Sequence, residues 1–96
     1  MKLESKIQSE ILELLKLRGC WIVKTIKSNR KGIPDIIACY RGLFIAIEVK
    51  KEGLGYEDAT PLQKLEIKNI IKAGGKAIAT SKAEEVSKLL DNLILV

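Results

Sequence analysis

Residues 33–50 read IPDIIACYRGLFIAIEVK, and this segment decides the fold because two apolar runs flank the dipeptide Arg41-Gly42. Two such runs joined by a glycine-containing dipeptide are typical of a β-hairpin, since glycine adopts the positive φ that tight turns require. The segment therefore predicts two antiparallel strands, over residues 35–40 and 43–50.

The register of this hairpin brings two acidic residues together. If Tyr40 pairs with Leu43 across a two-residue turn, Asp35 pairs with Glu48 at the open end. Directly opposed residues have Cβ atoms about 4.5–5.5 Å apart, and like charges at that distance are destabilising unless something neutralises them. A three-residue turn would slip the pairing by one position and separate the acids.

Side chains alternate between the two faces of a strand, so Glu48 and Lys50 share one face. The other face of this strand is predicted to be buried and consists of Leu43, Ile45, Ile47 and Val49.

A cation between the two acids would offset their repulsion. Carboxylates, a backbone carbonyl and water are the ligands that suit Mg²⁺ or Mn²⁺, ions that share their coordination with substrate phosphates. Two acids and a lysine in this arrangement are typical of metal-dependent phosphodiester cleavage, with Lys50 beside the scissile phosphate or the attacking water. The alternative is a surface hairpin whose acids pair with Lys50, Lys51 or Arg41.

The composition excludes several other chemistries. The 96 residues contain no histidine, which rules out Ser-His-Asp and Cys-His catalysis and metal sites that need imidazole. Cys20 and Cys39 lack the spacing of a redox or zinc motif, so they are predicted to be small buried residues in a reducing compartment.

Basic residues outnumber acidic ones, with 17 Lys and Arg against 12 Asp and Glu and a net charge of +5. Such a balance favours a polyanionic partner. The residues predicted to bind DNA phosphates, in contacts that are independent of sequence and sensitive to salt, are Lys24, Lys27, Arg30, Lys31 and Lys51. The alternative for the part of this cluster in residues 28–32 is a solvated loop.

The rest of the chain predicts five further elements and one possible addition. Helical periodicity over residues 3–17 indicates an amphipathic helix, and alternation over 20–27 indicates a strand. Thr60, Pro61 and Gln63 form a helix start for residues 61–73, with Gln63 in the position of a capping box. Residues 76–80 read as a strand. Ser81 and Glu84 predict a second capping box that opens a last helix, and 93–96 read as a possible edge strand.

The predicted order is therefore α-β-β-β-α-β-α, which indicates an α/β fold with a mixed β-sheet flanked by helices on both faces. We expect the first three strands to form an antiparallel meander. A crossover through the helix at 61–73 places the strand at 76–80 parallel to the strand of Glu48 and beside it. Residues 1–96 are expected to form a single domain.

The cellular location is predicted from the charge and apolar content of the sequence. The first eight residues are charged rather than apolar, and no apolar run approaches the roughly 20 residues of a membrane span. We expect a protein of the cytoplasm, or a viral protein that acts in the host cytoplasm, with no membrane partner.

Three segments together resemble the VRR-NUC family of PD-(D/E)xK nucleases: residues 32–35 (GIPD), 48–50 (EVK) and 60–63 (TPLQ). The resemblance spans nearly the whole chain. It implies a restriction-endonuclease-like core that hydrolyses DNA with Mg²⁺ or Mn²⁺. Stand-alone members of this size resemble dimeric Holliday-junction resolvases, which implies a homodimer and branched DNA as its partner.

The resemblance also implies roles for individual residues. Asp35 and Glu48 resemble the metal ligands, the Val49 carbonyl a backbone ligand, and Lys50 the group that orients or activates water. Gln63 corresponds to the glutamine after the family's Ser/Thr-Pro turn. A capping side chain bonded to the Thr60 amide is the alternative role for Gln63, and the two roles are compatible.

The family also places a Glu or Gln on its first helix, and here the best positional match is Gln8, with Glu4 and Glu10 as nearby acids. Three other functions stay open at this point: a non-catalytic DNA-binding module, a structural or partner-binding domain, and a non-selective nicking endonuclease of the same fold.

Overall fold

The computed structural model describes residues 1–26 and 30–93. The helices are α1 (Glu4–Leu17), α2 (Pro61–Lys72) and α3 (Ala83–Asp91), and the strands are β1 (Trp21–Lys24), β2 (Ile36–Tyr40), β3 (Leu43–Val49) and β4 (Lys76–Thr80). A single 3₁₀ turn, Tyr56–Asp58, lies between β3 and α2. This order confirms the predicted one. The end of the predicted first strand at Lys27, and residues 94–96 of the possible edge strand, lie outside the described residues.

The four strands form one mixed sheet in the order β1-β2-β3-β4. The first three strands are antiparallel neighbours, whereas β4 is parallel to β3, with Ile47 opposite Ile78. The predicted meander and the predicted place of the last strand are therefore confirmed. Because α2 connects β3 to β4, the chain passes from the strand that carries Glu48 through residues 50–60 to the start of α2.

The hairpin between β2 and β3 turns within two residues. Arg41 has a φ of 51° and Gly42 a φ of 85°, and two successive positive φ values are typical of the type I′ turn that matches the twist of paired strands. The turn sets Tyr40 opposite Leu43, and the same register continues to Ile36 opposite Ile47. This is the predicted register.

Helices cover both faces of the sheet. On one face, α1 and α3 supply fully buried side chains such as Ile7, Ile11 and Val86, which pack in one cluster with Ile45 and Ile47. Burial of each such isoleucine contributes about 1.5–3 kcal/mol. The predicted buried face of β3 is confirmed, with Leu43 half-buried and Ile45, Ile47 and Val49 fully buried.

On the other face, α2 packs through Ile67 against the small side chains Ala46, Ala77 and Ala79. Strand β3 is therefore covered on both faces, which explains its nearly continuous apolar sequence. This face of β3 also carries Glu48, so the acid lies beneath α2 rather than in solvent.

Two local predictions are wrong. The capping box of Ser81 and Glu84 does not form, because the N-cap of α3 is Lys82, whose amide donates to Thr80 Oγ1 at 3.0 Å. Cys39 is exposed rather than buried, and Cys20 is only half-buried. Cys39 lies on the α2 side of the sheet, opposite Trp21 and Phe44, and these two residues are 65% and 45% exposed because α2 covers only β3 and β4 there.

None of the helices in the described ranges is long and apolar enough to cross a membrane.

Candidate active site

Asp35 lies one residue before β2, at the open end of the hairpin. The last strand pair is Ile36 with Ile47, so continuing the register by one residue places Asp35 opposite Glu48. The Asp35 carbonyl accepts the amide of Thr25 at 2.9 Å, which ties this backbone to the end of β1. Its carboxylate Oδ2 accepts the Val49 amide at 2.8 Å. The side chain of Asp35 therefore reaches across to β3, beside Glu48.

Glu48 is the most deeply buried acid among the described residues, with 3% of its surface exposed. A buried carboxylate is costly unless hydrogen bonds or opposite charges compensate it. Glu48 Oε2 accepts a hydrogen bond from Gln63 Nε2 at 3.1 Å and lies 4.0 Å from Lys50 Nζ. The predicted sharing of one strand face by Glu48 and Lys50 is therefore confirmed.

Gln63 links this group to the start of α2. Its Oε1 accepts from Lys50 Nζ at 2.9 Å and from the Thr60 amide at 2.9 Å. The Gln63 amide in turn donates to Thr60 Oγ1 at 3.1 Å, which completes a capping box. The capping role foreseen for Gln63 is therefore confirmed, and the same side chain contacts Lys50 and Glu48. Its part in the reaction stays a prediction.

The local sequence explains why these elements meet here. Pro61 at the first helical position and Thr60 at the N-cap fix where α2 begins, and Gln63 follows within the first turn. The Lys50 amide donates to the Thr80 carbonyl at 2.9 Å, so β3 and β4 stay paired up to the site. The site residues therefore lie within or directly beside regular elements: Asp35 just before β2, Glu48 in β3, Lys50 just after β3 and Gln63 in the first turn of α2.

The first helix approaches the same end of the sheet. The Lys2 amide donates to Glu52 Oε2 at 3.1 Å, and Glu52 follows Lys50 by two residues. Glu10 is engaged by Lys2 Nζ at 3.1 Å, while Gln8 is half-buried and Glu4 is exposed. Within residues 1–26 and 30–93, no group of three or more Asp, Glu, Cys or His side chains is suited to a metal. A metal contact from Gln8, Glu4 or Glu10 stays a prediction.

The predicted DNA-binding cations have different environments. Lys24, Lys31 and Lys51 are exposed, whereas Lys27 lies outside the described residues. Arg30 Nη2 donates to Glu66 Oε1 on α2 at 2.9 Å, so this guanidinium already has an acidic partner within the chain.

Two residues of the site region were missed in the sequence. Thr25 Oγ1 donates to the Pro34 carbonyl at 2.7 Å and so supports the backbone just before Asp35. Glu66 was also missed, although its position in the helix sequence indicates that it needs a partner. It stands four residues after Leu62 and four before Ile70, so this acid falls on the apolar stripe of its helix, where a charge needs a partner.

The donor set fits a hard divalent cation. Two carboxylates and the carbonyl of the strand residue after Glu48 are oxygen donors of the kind that Mg²⁺ and Mn²⁺ prefer, and a chain without histidine offers no imidazole ligand. The ammonium of Lys50, with 12% of its side chain exposed, lies next to these donors and can interact with an anionic group placed there. The arrangement therefore suits hydrolysis of a phosphate ester.

Comparison with known proteins agrees with this chemistry. The family model described as archaeal Holliday junction resolvase (Hjc) matches residues 4–93 of the chain, a range that includes every member of the site. A solved structure described as a VRR_NUC domain is similar over 95% of this chain and 97% of that chain, with 25% sequence identity and a TM-score of 0.77. No curated protein matches the chain. The nuclease resemblance and the α/β restriction-endonuclease-like fold are thereby confirmed, and the chain belongs to the family of archaeal Holliday junction resolvases and is a DNA endonuclease.

Proposed function

We propose that this endonuclease hydrolyses phosphodiester bonds of branched DNA, four-way junctions in particular, and that it requires Mg²⁺ or Mn²⁺. The observation that carries the proposal is the register that sets Asp35 opposite Glu48, with Lys50 on the face of Glu48. The family match to resolvases supports the substrate class.

Each side chain has a role in this proposal. Asp35, Glu48 and the Val49 carbonyl hold the cation, which when bound supplies a Lewis acid that polarises the phosphate and activates water. Lys50 lies against the non-bridging oxygens or orients the attacking water. Gln63 fixes the Lys50 ammonium through the hydrogen bond of 2.9 Å. Gln8, or Glu4 or Glu10 in its place, completes the ligand set from α1.

The exposed lysines bind the DNA backbone. Lys24, Lys31 and Lys51 supply positive charge on the described surface, and the net charge of +5 favours a polyanion. Lys27, which lies outside the described residues, is proposed to bind DNA as well. Contacts of this kind place the duplex without reading its bases. In this proposal, selectivity comes from the shape of the branched substrate and not from its sequence.

A homodimer is part of the proposal. Two copies related by a two-fold axis present two active sites, which can nick two strands of a symmetric junction in one encounter. Sedimentation at micromolar concentration is expected to show a dimer. A monomer at all concentrations, with four-way junctions cleaved no faster than linear duplex, would contradict the resolvase version.

The central experiment is a cleavage panel with a four-way junction, a flap, a splayed arm and a linear duplex, each with Mg²⁺, Mn²⁺ or EDTA. We expect the junction to be cleaved fastest, and only with metal. Asp35→Asn and Glu48→Gln should each lose activity about a thousandfold, since Lewis-acid stabilisation is worth several kcal/mol and about 1.4 kcal/mol is a factor of ten. Glu57→Gln, an exposed acid of the 3₁₀ turn, is the matched control and should cleave normally.

The same panel separates the alternatives. Equal cleavage of all four substrates would indicate a non-selective nicking endonuclease of this fold. Junction binding without cleavage in either metal would indicate a DNA-binding module.

A further inference from the structure

Glu66 and Arg30 join two parts of the chain that are 36 residues apart. Arg30 Nη2 donates to Glu66 Oε1 at 2.9 Å, and the side chains are 67% and 11% exposed respectively. Glu66 lies on α2 one turn after Gln63, and Arg30 lies in the segment that leads to Asp35. The ion pair therefore connects the backbone that delivers one acid to the helix that delivers Gln63.

A second contact joins the same two parts of the chain. Gly32 has a φ of +84°, and a Cβ added to it would lie 2.8 Å from the carbonyl oxygen of Leu62. Only a residue without a side chain can bring its backbone this close to α2. The segment before Asp35 thus rests on the first turn of the helix, on the residue that precedes Gln63.

We propose that Glu66 is a positioning residue of this nuclease: through Arg30 it fixes the segment that carries Asp35 against the helix that carries Gln63. The inference rests on the proposed function for the roles of Asp35 and Gln63. It also assigns Arg30 to the architecture of the site rather than to DNA phosphates.

The burial of the pair determines which substitutions are informative. Because Arg30 is mostly exposed, the ion pair adds little to the free energy of unfolding. Glu66 is buried, so removing Arg30 alone leaves a carboxylate short of its partner. Glu66→Gln removes that charge and keeps the size of the side chain, and the double variant Arg30→Gln/Glu66→Gln removes both charges.

The structure also contains a reporter that does not depend on cleavage. The Val49 amide donates to Asp35 Oδ2 at 2.8 Å, so its hydrogen exchange responds to the position of the Asp35 side chain. The Thr60 amide, which donates to Gln63 Oε1, reports on Gln63 in the same way.

The experiment measures kcat and KM on a four-way junction for the wild type, Arg30→Gln, Glu66→Gln, the double variant and Arg30→Lys. Hydrogen exchange of the metal-free proteins is followed at the Val49 amide. We expect each single variant to lower kcat about tenfold at unchanged KM, because a displacement of about 1 Å at a reacting group costs up to about a hundredfold. The double variant should be no slower than the slower single variant, and exchange at Val49 should accelerate in all three.

Arg30→Lys retains the charge and should recover part of kcat, though not all, because lysine lacks the planar fork of arginine. Lys31→Gln serves as the comparison for a phosphate contact, with a higher KM and a smaller salt dependence of binding.

One pair of results would overturn the proposal and make Arg30 a phosphate contact. In that case Arg30→Gln has a raised KM, while Glu66→Gln has a normal kcat and normal exchange at the Val49 amide. Lower thermal stability of Glu66→Gln at normal kcat and normal exchange would overturn it as well. If the wild type cleaves no DNA, the proposed function fails, and faster Val49 exchange in Glu66→Gln would still support the link between Glu66 and Asp35.

Discussion

The Lys50 side chain has two partners, the neutral amide of Gln63 and the carboxylate of Glu48. Its ammonium donates to Gln63 Oε1 at 2.9 Å and lies 4.0 Å from Glu48 Oε2, with only 12% of the side chain exposed. A lysine confined in this way loses little further freedom when a phosphate arrives. In the proposed reaction, its positive charge is therefore already in place to stabilise the negative charge that develops in hydrolysis.

Replacing Lys50 by methionine keeps much of the side-chain volume and removes the charge. We expect the single-turnover rate on a saturating four-way junction to fall by about 10²–10⁴-fold, the range for a positioned group that handles charge or protons in the transition state. Binding of the junction in Ca²⁺ should change little. Lys68→Met, at an exposed position of α2, is the matched control. Cleavage by Lys50→Met at the wild-type rate would show that the ammonium has no part in the reaction.

The two cysteines are expected to differ in reactivity. Burial raises the pKa of the Cys20 thiol, so the folded state favours the protonated form. That preference contributes stability below the ordinary thiol pKa, and the contribution is lost as the pH rises through the raised value. Near pH 8, a thiol reagent should modify the exposed Cys39 quickly and the half-buried Cys20 more slowly, with the Cys20 rate rising on unfolding in urea. The rapid phase should disappear in Cys39→Ser, and its survival in that variant would contradict the assignment.

At the scale of elements, the start of α2 is shared by the helix and the site. Thr60→Ala removes a cap and should lower the free energy of unfolding by about 0.5–2 kcal/mol, with a modest effect on kcat. Gln63→Ala removes one capping bond and both contacts to Lys50 and Glu48, so we expect a similar loss of stability and a much larger loss of kcat. Urea unfolding and junction cleavage measure the two effects, and equal kcat for both variants would restrict Gln63 to its role in the cap.

The contacts that the sequence predicted are those set by local rules. Alternation along β3 and the turn at Arg41-Gly42 determine which residues share a face, and the Thr60 cap depends on neighbours in the chain. The Arg30 to Glu66 ion pair was not predicted, because its partners are distant in sequence and no periodic pattern relates them.

The start of α3 shows that a local motif in the sequence can also fail to form. Ser81 has the spacing of a cap, yet the buried hydroxyl of Thr80 takes the Lys82 amide and donates to Glu85, because the end of β4 brings it there. A competing local contact, from the residue before Ser81, therefore replaced a motif that was correct in its spacing.

For the whole molecule, the excess of positive charge predicts strong salt dependence of DNA binding. The logarithm of the junction binding constant should fall linearly with the logarithm of salt concentration, with a slope of about −0.9 for each phosphate neutralised. Lys24→Gln, Lys31→Gln and Lys51→Gln should each reduce the slope by about one and weaken binding to junction and duplex alike. Lys88→Gln, on α3, is the control and should leave the slope unchanged. An unchanged slope in all three test variants would place the DNA elsewhere on the surface.

The hairpin turn has a consequence for how this chain can evolve. Connections on a protein surface ordinarily tolerate added residues, but here two residues at one end of the hairpin set the pairing that aligns Asp35 with Glu48 at the other. A single insertion beside Gly42, far from the acids in space, would redirect one strand's side chains and inactivate the enzyme without touching a catalytic group. Across relatives we therefore expect the length of this connection to be invariant even where its residue types change.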